Sequence, residues 1–114
     1  MTKALTVAEV LNAAADLLER PNAWAQWIWA KGANGQPVWV GNDEKAVCWC
    51  IEGAFERIVG HRDFYQLRFA ARDAFSAANG DSPIAYNDAP GRTQSEVVAA
   101  LRRAAQQATA GGGE

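Results

Sequence analysis

The sequence is poor in the residues that most often carry chemistry. It holds one histidine, His61, and two cysteines, Cys48 and Cys50. Zinc wants three or four convergent Cys, His or carboxylate ligands. Cys48-Trp49-Cys50 has no second Cys pair and matches no finger or ribbon spacing, so neither a metal nor another cofactor is expected. A nucleophilic Cys or Ser would have to use His61 as its base. That histidine follows Cys50 by roughly three helical turns and reads as an exposed residue of the Gly60-His61-Arg62 turn. Cysteines this close in sequence bridge only with strain, so two reduced thiols are expected. The glycines from Gly32 to Gly41 lack the Lys-Ser/Thr ending of a phosphate loop.

Excess positive charge is also missing. Eleven basic residues stand against thirteen acidic ones, for a net charge of -2. A nucleic-acid binder normally shows a strongly basic footprint, so nucleic acid is not the expected partner. No apolar run approaches the ~20 residues that cross a bilayer. The N-terminus has no basic stretch leading into an apolar one with a cleavage site. A cytoplasmic protein with no membrane partner is the expectation.

What is present is apolar residue, 49% of 114 positions, enough for the core of one domain. The expected domain covers residues 1–110, followed by a disordered glycine-rich tail at 111–114. Thr6-Val7-Ala8-Glu9 has the form of a capping box, and a stripe from Val7 through Val10, Leu11, Ala14, Leu17 and Leu18 predicts a first helix that Pro21 stops. Trp27 and Trp29 then alternate with Ile28, and Val38 and Val40 with Trp39, around Asn34-Gly35. This predicts a hairpin pairing 26–31 with 36–40. A second, largely buried helix is expected from Asn42 or Asp43 to Gly60, with a close backbone contact at Gly53. A third is expected over 63–79, ending on Asn79-Gly80. Residues 81–92 hold Pro83, Pro90 and Gly91 and read as an irregular loop. Thr93-Gln94-Ser95-Glu96 is a second capping box, opening a fourth helix with Val97, Val98, Leu101, Ala104, Ala105 and Ala108. The predicted fold is therefore mainly α: about four helices in a compact bundle, with one small β-hairpin between the first and second.

Three features invite a functional reading. The acid pairs Asp43/Glu44 and Glu52/Glu56 read as helix N-terminal charge and as a solvated helix face, neither demanding acid–base chemistry. The five tryptophans (Trp24, Trp27, Trp29, Trp39, Trp49) are the most unusual part of the composition. They either build the core or stand partly exposed, because alternation places some rings on each hairpin face. The stretch Tyr86 to Thr93 gathers a phenol, an amide, a carboxylate and a guanidinium just before a helix start. It is either an anion-binding site with Arg92 as clamp or a turn whose polar groups bond their own backbone.

Trp49-Cys50-Ile51-Glu52-Gly53-Ala54, with Asn87-Asp88-Ala89-Pro90-Gly91-Arg92-Thr93 and the following Glu96-Val97, resembles an uncharacterised family of small bacterial and bacteriophage proteins. Its pattern is a Trp-Cys-x-x-Gly-Ala segment on a middle helix and an Asn-Asp-x-x-x-Arg-Thr segment before a C-terminal helix. The resemblance covers most of residues 5–108. It implies element boundaries and no reaction, and the tryptophans at 24, 27, 29 and 39 lie outside the pattern. Sparse catalytic residues and abundant tryptophan lead to a non-enzymatic protein-binding or regulatory module, phage-derived, with a protein partner. The alternative is a small-ligand or enzymatic site in the Asn87–Arg92 loop. The candidate site residues are Tyr86, Asn87, Asp88, Arg92 and Trp49, with Cys50 as a further lining residue in the alternative.

Overall fold

The computed structural model describes residues 5–39, 43–60 and 66–110. The elements run α1 (Val7–Leu18), β1 (Ala30–Gly32), β2 (Pro37–Val38), β3 (Ala46–Trp49), α2 (Ile51–Val59), α3 (Gln66–Asn79), α4 (Pro83–Asp88) and α5 (Gln94–Ala110). The architecture is mainly α with one small antiparallel sheet, as the sequence predicts, but there are five described helices where four were expected.

Both capping boxes form. Thr6 Oγ1 accepts from Glu9 N at 3.1 Å while Thr6 N donates to Glu9 Oε1 at 2.9 Å, and Thr93 and Glu96 repeat the exchange at 3.2 and 2.9 Å. Each exchange satisfies amides that the first helical turn leaves without partners. α1 and α5 pack along their apolar stripes, and α2 and α3 complete the bundle. Val10, Leu11, Leu18, Ile51, Phe55, Phe75, Val97 and Leu101 are all fully enclosed in one cluster. Gln94 ties the ends of α1 and α5 together, its Nε2 donating to the carbonyls of Leu18 at 2.6 Å and Arg20 at 2.8 Å. Among the described residues no helix is long and apolar enough to cross a membrane.

The hairpin is present but shorter than predicted. Its turn carries Gly35 at φ 80, with Asn34 Oδ1 accepting from Gln36 N at 3.0 Å. Only Ala30↔Val38 and Lys31↔Pro37 pair in it. Two local facts shorten it. Pro37 has no N–H to give the ladder, and Trp27 sits at φ 62, which no strand accommodates. Val40 lies outside the described residues.

The largest correction concerns residues 43–50, expected as the opening turns of the second helix. Ala46–Trp49 is instead a strand, β3, paired antiparallel to β1 to give the sheet order β2-β1-β3. Ala46, Cys48 and Trp49 are buried and Val47 is exposed. A run that is apolar on most sides suits a buried strand as well as a buried helix, and periodicity alone does not separate them. Asp43 makes a tight turn, Oδ1 accepting from Lys45 N at 2.8 Å, instead of capping a helix. The cap is Cys50, extended at φ -77 and ψ 178, whose Sγ accepts from Gly53 N. The second correction is α4. Residues 81–92 are not wholly irregular, because Ser82 caps a short helix with Pro83 in its first turn, the one helical position that suits proline. α3 ends as predicted, with Gly80 at φ 74. Asn42, His61, the start expected for the third helix at 63–65, and the tail at 111–114 lie outside the described residues.

Candidate functional site

The Asn87–Arg92 stretch is where distant parts of the chain meet. Asn87, the penultimate residue of α4, is fully buried. Its Oδ1 accepts from Trp24 Nε1 at 2.8 Å and from Ile51 N at 3.1 Å. Its Nδ2 donates to Ala25 O at 3.0 Å and to Asp88 Oδ1 at 2.8 Å. A carboxamide has two lone pairs and two N–H groups to offer, and all are used. Ile51 N is one of the first-turn amides of α2 that need an outside acceptor, so Asn87 also helps to cap that helix. Gln26 adds a second stitch, its Nε2 donating to the Asn87 and Ala89 carbonyls at 3.1 Å each.

Asp88 completes the clasp and differs from Asn87 in being only half-buried. Its Oδ1 accepts from Trp27 N at 2.9 Å as well as from Asn87. The two bonds occupy that oxygen and hold Trp27 in left-handed backbone, a conformation that is steric strain for a bulky residue. The Trp27 side chain is 70% exposed. Trp27, Ile28, Trp29, Cys50, Ile84 and Asp88 line a cleft of about 170 Å³.

The remaining predicted residues are placed differently. Arg92 turns inward, its Nε donating to Tyr86 O at 2.8 Å and its guanidinium lying 3.7 Å from the Tyr86 ring centroid. Tyr86 meets Phe75 edge-on at 5.5 Å. Neither residue lines the cleft. Trp49, expected as a lining residue, is buried in the core, 5.9 Å from the Arg57 guanidinium. Its neighbour Cys50 does line the cleft. Burial pushes the Cys50 thiol up to about 11; the backbone N–H groups of Gly53 and Glu52 oppose the rise, and the carboxylates of Asp88 and Glu52 add to it. The thiol is neutral, and its sulfur is engaged as the cap of α2. The structure thus brings Asn87 and Asp88 together and adds Trp27, Ile28, Trp29 and Ile84, which were not singled out as site residues. The signal available for Trp27 was the alternation of tryptophans, which places some rings outward.

The Glu52/Glu56 pair is not a solvated face. Glu52 is buried, with Arg72 Nε 3.0 Å from its Oε2. Glu56 accepts from Trp29 Nε1 at 2.7 Å and pairs with Arg68 at 3.2 Å. Two acids one turn apart on α2 thus meet two arginines one turn apart on α3. Burial pushes the Glu52 carboxyl above its ordinary 4.5; Arg72 and then Arg68 oppose this, and Glu56 adds to it. A group whose value is raised on folding contributes stability that is fully present below the unfolded value and is lost as pH rises through the folded one. The stability of the wild type relative to Glu52→Gln is therefore expected to fall as pH rises from 4.5. Urea denaturation of both across that window checks it, and an opposite slope would mean that the arginines outweigh burial.

Among the described residues no three His, Cys, Asp or Glu side chains gather as metal ligands. A family model matches residues 2–107, almost the full length of the chain. The chain belongs to the family of unknown function DUF6197. The matched span includes residues 49–54 and 87–93, and the family has no assigned function. No curated protein and no solved structure matches this family member.

Proposed function

We propose that this DUF6197 chain is a non-enzymatic protein-binding module, of bacterial or bacteriophage origin and acting in the cytoplasm, whose contact face is centred on Trp27 and Ile84. The observation that carries the reading is the backbone of Trp27. A bulky residue at φ 62, tied by Asp88 and still 70% exposed, costs the fold roughly 1–2 kcal/mol of left-handed strain with little burial in return. Such strain gathers where function holds a side chain in place. Beside it Ile84 is 49% exposed, giving an apolar surface with a tryptophan at its centre, the residue type most enriched among interface hot spots.

Size supports the same reading. A cleft of about 170 Å³ falls below the roughly 300 Å³ at which small-molecule sites begin. It suits one side chain of a partner better than a whole metabolite. Asn87 has no donor or acceptor left for a substrate, all four of its hydrogen bonds being made inside the fold.

Two variants separate contact from structure. Trp27→Ala and Trp27→Gly should both lose a partner that the wild type retains on affinity capture. Trp27→Gly should be about 1 kcal/mol more stable than Trp27→Ala, because glycine accepts the left-handed backbone freely. A partner held equally by wild type and both variants would overturn the reading, as would a glycine variant that is less stable than the alanine one.

A further inference from the structure

The cleft beside Trp27 has a charge as well as a shape. Its lining is aromatic and aliphatic except for Cys50, which is neutral, and Asp88. The negative field of Asp88 reaches into the cleft far enough to help raise the Cys50 thiol. One carboxylate among indoles is complementary to a cation with an apolar stem, since tryptophan attracts cations more strongly than the other aromatic rings do. The kind of cation follows from the hydrogen bonds. Asp88 Oδ1 already accepts from Trp27 N and Asn87 Nδ2, which leaves Oδ2 for a ligand. Arginine recognises carboxylates best as a fork on both oxygens, whereas lysine brings a point charge that one oxygen satisfies.

We propose that the cleft lined by Trp27, Trp29, Ile84 and Asp88 binds a lysine side chain of a partner protein, with the ammonium on Asp88 Oδ2 and the methylene stem against the two indoles. This rests on the docking reading above and adds the partner's chemistry to it. The segment it fits carries a lysine with an apolar neighbour, the lysine entering the cleft and the neighbour lying on Ile84.

The test is selection of short random peptides displayed against the full chain, with counter-selection on Trp27→Ala. The expected pool is enriched in lysine beside an apolar residue. For a synthetic peptide from that pool, replacing the lysine by norleucine, which keeps the stem and removes the charge, should weaken binding about tenfold. Asp88→Asn keeps an acceptor for Trp27 N while removing the charge, so it should leave the melting temperature in place and abolish the difference between the two peptides. A pool without lysine, a pool enriched in arginine instead, or a norleucine peptide that binds as tightly would overturn the lysine assignment while the docking face stands. Failure to select any peptide that depends on Trp27 would overturn the docking face itself, and the lysine assignment with it.

Discussion

Asn87→Ala should destabilise the protein by about 4 kcal/mol, summing the costs of two or three buried groups left unpaired. The truncation strands Trp24 Nε1, Ile51 N and Ala25 O, and the first two lose the same acceptor atom. Residue 87 is fully enclosed, so solvent cannot replace the lost partners without the packing opening around it. Trp24→Phe is the companion measurement. It removes one hydrogen bond from the same cluster and should cost only about 1 kcal/mol. Urea midpoints with unchanged slopes would report both values. An Asn87→Ala loss no larger than that of Trp24→Phe would mean that the clasp contributes little to the fold.

Gly53→Ala decides between two effects of opposite sign. Helix propensity favours alanine over glycine by roughly 0.8–1.0 kcal/mol in a helix interior. Here a Cβ would overlap the carbonyl oxygen of Trp29. That oxygen belongs to the backbone and cannot rotate away, and it also accepts from Cys50 N at 3.2 Å. Moving it would break the junction between the 26–29 bends and the start of α2. Overpacking of this kind typically costs 1–3 kcal/mol and sometimes more, so a net loss of about 3 kcal/mol is expected in urea or thermal unfolding. A gain in stability would show that residues 27–29 shift freely.

These two sites also show what was legible in the sequence. Gly53 was: a glycine inside an apolar helical run called for a close backbone contact, and Trp29 supplies it. The capping boxes at Thr6 and Thr93, the turn at Gly35 and the helix stop at Gly80 were legible too, because each depends on a few neighbouring residues. Strand β3 was not. Ala46–Trp49 is apolar and short, and its conformation is set by pairing with β1 and by contact with residues 23–25, through Trp49 N to Ala23 O at 2.9 Å and Ala25 N to Trp49 O at 3.0 Å. Helix α4 was hidden behind its prolines, although Ser82-Pro83 is a cap followed by a first-turn proline. The inward turn of Glu52 and Glu56 needed the matching spacing of Arg68 and Arg72 on another helix. Asn87 and Asp88 were recognised as a cluster, but their role is set by Trp24, Ala25 and Trp27, more than sixty positions earlier in the chain.

That distance bears on when the face exists at all. Loop closure must precede any contact between segments so far apart. The backbone of Trp27 is set by a carboxylate that arrives with α4, and the first amide of α2, Ile51 N, shares an acceptor with Trp24. A chain whose C-terminal half is still emerging from the ribosome has α1 and the tryptophan-rich segment, but nothing yet to hold Trp27 outward or to shape the cleft beside it. The proposed contact face is therefore present only once α4 has been made and has docked against residues 24–29.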